Sequence, residues 1–189
     1  MSKAVLISIR PKWCELIASG KKTIEVRKTA PKIETPFKCY IYCTKDNKAQ
    51  FWIAKTYFYL DDHAHNAFDK CGNGAVIGEF VCDRIYGIVP DENGWGEEYG
   101  YSEHDCLSDS EMLEYLGCSG HGGYGWHISD LVIYDEPMKL NDFMRKPCDF
   151  AASCGACGHA KWLSGYRFDG CELSVTRPPQ SWCHVEAIT

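Results

Sequence analysis

The sequence predicts an α+β protein in which short strands outnumber short helices. The chain has 189 residues, which suits one domain or one domain with a small addition. Several runs of β-forming residues alternate between apolar and polar side chains, as half-buried strands do. Apolar residues recur at helical spacing only in short segments that end at a glycine. These features together indicate strands with short flanking helices.

The first two predicted elements are a strand and a short helix. Ala4–Ile9 alternates through aliphatic residues and predicts the first strand. Pro11 suits the first turn of a helix, and Gly20 is a typical end for it. The N-terminal run is too short and too alternating for a signal peptide, and no apolar run approaches the roughly 20 residues of a membrane span. We therefore expect a cytoplasmic protein that does not cross a membrane.

Strands dominate the middle of the chain as well. Three runs rich in aromatic and β-branched residues predict strands: Phe37–Thr44, Phe51–Leu60 and Gly74–Arg84. Between the last two, the polar stretch Asp61–Asn73 predicts a loop. Its His63 and His65 lie beside carboxylates, which leaves a metal site open as an alternative. The glycine- and acid-rich stretch Val89–Asp105 predicts a second loop.

A helix and further strands are predicted in the second half of the chain. Ser108 and Glu111 stand three residues apart before an apolar run that ends at Gly117, which predicts a short helix with an N-terminal capping box. Tyr124–Tyr134 predicts two strand segments, and Arg177–Glu186 ends in a last strand.

The chain contains 12 cysteines, which is many for a protein with no predicted secretory signal. Disulfides are not the expected reason, since reducing compartments keep thiols free. We interpret Cys14, Cys39 and Cys43 as core residues, because each lies within or beside an apolar face of a predicted element.

A second group of cysteines has the spacing of a metal site. Cys148-x5-Cys154-x2-Cys157 lies in a small, glycine-containing segment with too few aliphatic residues to form its own core. Three thiolates at this spacing suit structural zinc, with Cys171 as the preferred fourth ligand and His159 as the alternative. An iron–sulfur cluster uses the same ligands and is the other metal centre that the spacing allows.

Charge is distributed unevenly along the chain. The net charge is −6, yet residues 1–50 carry 11 Lys and Arg against 4 Asp and Glu, and the remainder carries 9 against 22. An acidic body argues against general coating of nucleic acid, while a basic first quarter allows a local basic cleft. The alternative is that the basic residues are dispersed and neutralised by their neighbours.

The densest group of charged residues is Gly20–Arg27, which follows the first helix. In a strand alternate side chains face the same way, so Glu25 and Arg27 share one face and Lys22 enters from the turn. A carboxylate beside two cations stays ionised, and the cations can bind an anion or a polarised carbonyl. A salt-bridged surface strand is the alternative that the residues leave open. Glu79, mid-strand among apolar residues, is a secondary candidate because an isolated buried acid is costly.

The spacing of Gly20, Lys22, Glu25 and Arg27, written G-x-K-x-x-E-x-R, resembles the signature of the ASCH domain, a member of the PUA-like superfamily. The strand and helix before the signature and the strand after it match its usual setting. The resemblance extends from residue 4 to about residue 135, and the tail at residues 177–186 also resembles the end of this family.

This resemblance implies a PUA-type β-barrel with short flanking helices. We expect the barrel to comprise residues 1–145 and 172–189, with residues 146–171 as a cysteine-rich, metal-binding insertion, here called the zinc knuckle. It also implies a cleft that binds RNA or a modified nucleotide. The expected ligand-binding residues combine the motif with the tail, where Trp182 offers a stacking surface: Lys21, Lys22, Glu25, Arg27, Gln180, Ser181 and Trp182.

A second interpretation is a small amidohydrolase that acts on an acylated (N-acetyl) pyrimidine nucleoside. One bacterial ASCH protein type is an acetylcytidine amidohydrolase, and Lys22 corresponds to its motif lysine. Glu25 stands where that type has its threonine, so the same mechanism does not carry over directly. A variant mechanism would use Glu25 or Glu79 as general base, with Lys22 or Arg27 stabilising the oxyanion.

Overall fold

The computed structural model describes residues 3–60, 63–91, 94–95, 105–117, 122–145 and 173–188. Within these residues the helices are α1 (Pro11–Ala18) and α2 (Asp109–Leu116), with a 3-10 turn at Leu140–Asp142. The strands in chain order are β1 (Lys3–Ile9), β2 (Ile24–Arg27), β3 (Phe37–Cys43), β4 (Trp52–Leu60), β5 (His63–Cys71), β6 (Val76–Cys82), β7 (Ile85–Ile88), β8 (Pro90–Asp91), β9 (Gly94–Trp95), β10 (Gly123–His127), β11 (Ser129–Met138) and β12 (Trp182–Glu186). None of the helices described here is long and apolar enough to span a membrane.

The larger sheet has five strands in the order β11-β6-β3-β1-β12. β1 runs parallel to β3 and antiparallel to β12, which places the first and last described strands side by side. Successive residues of β1 point to opposite faces of this sheet. Val5 and Ile7 enter one apolar cluster, whereas Ala4 and Leu6 enter another, so both faces of the strand are covered.

The smaller sheet has three antiparallel strands in the order β2-β10-β7. Trp126 of β10 is fully buried and packs edge to face against Phe37 of β3, with ring centroids 5.9 Å apart. The main apolar cluster therefore joins the two sheets. It also receives Cys14 and Ile17 from α1, which packs that helix against β1 and β3.

The structure confirms most of the predicted elements. β1, α1, β3 and β6 lie within a residue or two of the predicted segments, and α2 begins after Ser108 as its capping box indicated. The predicted pair of strands at residues 124–134 corresponds to β10 and β11. These segments were predictable because local pattern and tertiary burial agree in each of them.

The predicted loop at Asp61–Asn73 is wrong for most of its length. β5 occupies residues 63–71 and pairs antiparallel with β4 from Leu60↔His63 to Trp52↔Cys71, with register shifts near Ala54. Backbone pairing with a β-rich neighbour determines the strand here, although its own side chains are polar. Within Val89–Asp105, also predicted as a loop, β8 and β9 form a short pair.

The expected barrel is present only in part. Within the described residues the strands form two main sheets and two separate strand pairs, and their hydrogen-bonded ladders do not join into one closed ring. The apolar contact between Trp126 and Phe37 holds the two main sheets together where a closed barrel would use backbone pairing.

The expected knuckle, residues 146–171, lies outside the described residues. The chain on either side of it is described, and its two ends meet. Arg145 N donates to the carbonyl of Leu173 (2.9 Å), and Val175 N donates to the carbonyl of Phe143 (2.8 Å). Phe143 and Val175 are both fully buried. The described residues that flank this segment therefore lie side by side.

Candidate functional site

A sharp turn after α1 delivers the charged residues of the motif to their positions. Gly20 has φ +72°, in the left-handed region that suits glycine, and directly follows the C-cap residue of the helix. The backbone N–H groups of Lys21 and Lys22 then both donate to the carbonyl of Leu16 (2.9 and 3.0 Å). This turn leads the chain from α1 into β2.

Lys22, Glu25 and Arg27 form a buried ion triad. Arg27 Nη2 lies 2.8 Å from Glu25 Oε1, and Lys22 Nζ lies 3.5 Å from Glu25 Oε2. The three residues are only 2%, 5% and 6% exposed, respectively. The surface-strand alternative is therefore wrong, and the shared face predicted for Glu25 and Arg27 is confirmed by their contact.

Backbone groups from distant parts of the chain hold the two cations. Lys22 Nζ donates to the carbonyl of Asp105 (2.5 Å), and Arg27 Nη2 donates to the carbonyl of Ser8 (2.7 Å). Arg27 Nη1 also donates to the hydroxyl of Ser181 in the tail (3.4 Å). The triad thus connects β1, β2, the tail and the segment before α2.

Asp105 is a fourth ionisable residue at this site, and it was not predicted from the sequence. It is completely buried, and its Oδ1 accepts from the backbone N–H of Leu107 (2.8 Å). Burial raises the pKa of Asp105, as do the nearby Asp109 and Glu25, although the Leu107 N–H and Lys22 oppose the shift. One acid within an acid-rich stretch gives no signal in the sequence.

The triad forms the floor of a cleft of about 840 Å³. α1, α2 and the tail supply three of its walls. The lining residues are Ser8, Ile9, Arg10, Trp13, Lys22, Glu25, Val26, Arg27, Lys28, Thr44, Leu107, Glu111, Glu114, Tyr115, Pro178, Pro179 and Gln180. The tail is held in place because Ser8 Oγ donates to the carbonyl of Pro179 (2.7 Å).

Two aromatic residues on facing helices line this cleft. Trp13 of α1 lies beneath Lys22, whose Nζ is 5.3 Å from the ring centroid. Tyr115 of α2 lies beneath Lys28, at 5.6 Å. In the sequence both aromatics belong to the apolar faces of short helices, where core packing is the simpler interpretation. Their partial exposure to a cleft becomes visible only in the fold.

The other predicted ligand-binding residues take different positions. Gln180 lines the cleft, whereas Lys21 is exposed and does not line it, although its carbonyl accepts from the Cys106 thiol. Trp182 is outside the lining as well. Its ring packs against Trp126 (centroids 6.0 Å apart), and its Nε1 donates to Thr29 Oγ1 (3.1 Å).

Glu79, the secondary candidate, lies away from the cleft. Its Oε1 is 2.7 Å from Lys38 Nζ, and its Oε2 accepts from the Tyr134 hydroxyl (2.6 Å). These partners lie on the strands on either side of β6. These two contacts offset the unfavourable free energy of placing a carboxylate in the middle of a strand.

The predicted metal ligands Cys148, Cys154, Cys157 and Cys171 lie outside the described residues, as does His159. Where the structure describes the chain, no group of three or more His, Cys, Asp or Glu residues is arranged to hold a metal ion. A zinc or iron–sulfur centre in the knuckle therefore stays a prediction.

The fold and the site together define a class of protein: a small α+β protein whose buried Lys–Glu–Arg triad forms the floor of a cleft. The ASCH domain family model matches residues 7–113, more than half of the chain. The chain belongs to the ASCH domain family, and the resemblance seen in its G-x-K-x-x-E-x-R motif is confirmed.

Solved structures of an ASCH protein from Zymomonas mobilis share this fold. The chain is 17% identical to that protein, with a TM-score of 0.54 over 95% of this chain and 85% of that chain. A tyrosine-to-phenylalanine mutant of the same protein is 18% identical, with a TM-score of 0.54 over 96% and 88%. At this identity the likeness establishes the fold alone. A comparison with curated proteins gives no match.

Proposed function

We propose that this protein is a nucleic-acid-binding module that holds RNA or a modified nucleotide in the cleft above Lys22, Glu25 and Arg27. The observation that carries the proposal is the burial of this triad at the floor of an open cleft. Buried ion pairs contribute little net stability, because desolvation offsets much of their attraction. We therefore attribute the buried triad to ligand binding, in which a ligand contacts Lys22 and Arg27, rather than to stability.

Unsatisfied polar atoms support the same proposal. Glu25 Oε2, Arg27 Nε and Asp105 Oδ2 are buried and have no hydrogen-bond partner. Buried polar groups are normally satisfied, so each of these atoms needs an explanation. Groups from a ligand, or waters ordered by one, would supply the missing partners beside the cleft.

The cleft also has the shape and the surfaces that a nucleotide needs. Its volume of about 840 Å³ lies within the usual range for small-molecule sites. Trp13 and Tyr115 offer aromatic surfaces for a base, each beside a lysine that lies over its ring, and the basic side chains of Arg10 and Lys28 stand at the rim for phosphate. Stacking by these two residues replaces the role expected of Trp182.

The first test is binding of a labelled single-stranded oligoribonucleotide, followed by fluorescence anisotropy. We expect Arg27→Ala to weaken binding by about tenfold or more, because a hydrogen bond to a charged group contributes about 1.5–3 kcal/mol. Lys28→Ala removes an exposed rim charge, so we expect a smaller loss and a salt slope reduced by about 0.7.

Lys48→Ala is the matched control, since Lys48 is exposed and does not line the cleft. Thermal unfolding of each variant separates lost binding from lost folding, which matters most for buried Arg27. Equal affinity of the native protein, Lys28→Ala and Lys48→Ala at every salt concentration would contradict the proposal.

One observation favours the amidohydrolase as a second candidate. Glu25 Oε2 has no hydrogen-bond partner and lies 3.5 Å from Lys22 Nζ, so a carboxylate oxygen and an ammonium group are paired at the cleft floor. The carboxylate would activate water and the ammonium would stabilise the oxyanion. Glu79 is too engaged with Lys38 and Tyr134 to serve as the alternative base.

This candidate predicts release of acetate from N4-acetylcytidine. We expect Glu25→Gln to abolish hydrolysis while nucleoside binding survives, because the amide keeps the shape but is a poor base. Chromatography of the reaction products measures the first quantity and calorimetry the second. Undiminished hydrolysis by Glu25→Gln, or none by the native protein, would remove the candidate.

We further propose that the knuckle binds one structural zinc ion through Cys148, Cys154, Cys157 and Cys171. The spacing of these residues supports this proposal, as do the hydrogen bonds between the described residues at the two ends of the segment.

We also propose the cytoplasm as the location of the protein. The cysteines of the described residues are free thiols, which accords with a reducing compartment.

A further inference from the structure

An ion pair joins the two helices that form facing walls of the cleft. Lys12 Nζ of α1 lies 3.1 Å from Glu111 Oε1 of α2. Glu111 lines the cleft, and so does Trp13, the residue that follows Lys12. The two paired side chains are 60% and 41% exposed, so the pair lies at the mouth of the cleft rather than at its floor.

Lys12 also covers the ring of Trp13. Its Nζ lies over that ring, 4.2 Å from the centroid, whereas Lys22 Nζ is 5.3 Å from the same centroid. Because Lys22 is buried and Lys12 is exposed, Lys12 lies on the side of the ring that a ligand reaches from solvent. A base can stack on this surface only after the ammonium group of Lys12 has moved away.

The partner of Lys12 is held in place by other contacts. Glu111 Oε2 accepts from the backbone N–H and from the hydroxyl of Ser108, both at 3.0 Å. The segment before α2 is fixed to the cleft floor, because Lys22 Nζ donates to the carbonyl of Asp105. The helices can therefore stay in position when Lys12 leaves, since only its flexible side chain has to rotate.

A nucleoside and a nucleotide differ in what they offer to the displaced lysine. A bare nucleoside takes Lys12 away from both the Trp13 ring and the Glu111 carboxylate without supplying a new partner. A nucleotide carries a phosphate beside its base, and phosphate forms charge-assisted hydrogen bonds with an ammonium group. The loss of the Lys12 contacts is therefore offset only for ligands that carry phosphate, and such a difference is a source of specificity.

Resting on the proposed function, we propose that Lys12, held by Glu111 over Trp13, is a latch that makes the cleft select nucleotides over bare nucleosides. The latch opens when the phosphate of a ligand replaces Glu111 as the partner of Lys12, and the base replaces Lys12 on the Trp13 ring. Lys12 then determines specificity, although it does not line the free cleft.

The experiment compares each nucleoside with its 5′-monophosphate as a competitor of a labelled oligoribonucleotide in fluorescence anisotropy. Lys12→Met keeps an unbranched side chain but removes the charge and the hydrogen-bond donor. We expect this variant to bind nucleosides about threefold more tightly and monophosphates about threefold more weakly, as fits one exposed ion pair and one exposed cation–π contact. Lys48→Met, at an exposed lysine outside the cleft, should change neither affinity.

Glu111→Gln tests the other half of the latch. Glutamine can keep the capping box but has no charge to hold Lys12. We expect nucleosides to bind about twofold more tightly, and this gain should disappear when the substitution is made in the Lys12→Met background. The uncharged nucleosides are the informative ligands here, because removal of an acid from the wall favours a phosphate in any case. Thermal unfolding of each variant checks that it is folded.

A salt series tests the latch in the native protein. Nucleosides carry no charge, so salt has no direct electrostatic effect on their binding. Salt does screen the exposed pair of Lys12 and Glu111, so we expect nucleoside affinity to rise with salt concentration. This rise should be smaller in Lys12→Met, which has no ion pair to screen.

The remaining outcomes separate this inference from the proposed function. If Lys12→Met weakens both kinds of ligand equally, Lys12 is a simple rim cation and the latch is wrong. If it changes neither, the pair is an ordinary surface ion pair, and the latch is wrong again. Binding of the oligoribonucleotide without competition from any nucleoside or monophosphate also overturns the latch alone. A native protein that does not bind the oligoribonucleotide or the small ligands contradicts the proposed function as well.

Discussion

Four buried cysteines behave as small apolar residues rather than as reactive thiols. Cys14, Cys39, Cys43 and Cys82 all lie in the main apolar cluster. Burial raises the pKa values of Cys14 and Cys39 well above the usual value for a thiol, and it raises the pKa of Cys82 to about 12. Because the thiolate is the nucleophile, Cys14, Cys39 and Cys82 are unreactive at neutral pH, and Cys43 is shielded from reagents by its burial.

We therefore expect brief alkylation of the native protein at pH 8 to label Cys71, which is exposed, and to spare the four core thiols. Denaturant should expose all of them. Mass spectrometry of the digested protein measures labelling at each position. Rapid labelling of Cys39 or Cys82 without denaturant would show that the core opens far more readily than this packing indicates.

The capping box of α2 stabilises both a helix and a wall of the cleft. Ser108 Oγ accepts from the backbone N–H of Glu111 (3.3 Å), and Glu111 Oε2 accepts from the backbone N–H of Ser108 (3.0 Å). That N–H, together with Lys12, lowers the pKa of Glu111 to about 2. A lowered pKa means that the stabilising contribution is present above the unfolded value of about 4.5 and is lost as pH falls toward 2.

We expect Ser108→Ala to lower the free energy of unfolding by about 1 kcal/mol, the usual value of an N-cap. For a chain of this size that corresponds to a fall in Tm of about 2–4 °C. Calorimetric scans at pH 7 measure it, with Glu114→Gln, at an exposed position later in the same helix, as the control. A drop of equal size in both variants would argue that the cap contributes nothing specific.

At the scale of the whole molecule, the described segments on either side of residues 146–171 are hydrogen-bonded to each other and to the last strand. β12 pairs with β1, and Glu186 N donates to the carbonyl of Met144 (2.8 Å). The contacts between Arg145 and Leu173 complete this junction. The described residues on either side of residues 146–171 therefore lie together in the folded body.

We expect elemental mass spectrometry of the purified protein to find about one zinc per chain. Cys154→Ser should lose the metal, whereas Cys71→Ser, at an exposed cysteine of β5, should keep it. Thermal unfolding of the body should change little in either variant. Iron in place of zinc would indicate a cluster, and a metal-free native protein would contradict the site.

Sequence reasoning reached those parts of the molecule in which local pattern and tertiary environment agree. The facing of Glu25 and Arg27 follows from strand periodicity, and the cap of α2 follows from Ser108 and Glu111. Asp105 and Tyr115 reach the site only through long-range packing, which no local pattern encodes. β5 was missed for the same reason, because pairing with β4 outweighs its polar composition.

The hydrogen bonds of Arg27 join residues that are synthesised early to a residue that is synthesised late. Arg27 donates to Ser8 at one side and to Ser181 at the other, and β1 takes β12 as one of its two neighbours. A ribosome delivers the motif early and the tail late. The nascent chain therefore carries its charged motif beside an open sheet edge, and the cleft gains its third wall only after the tail has been translated.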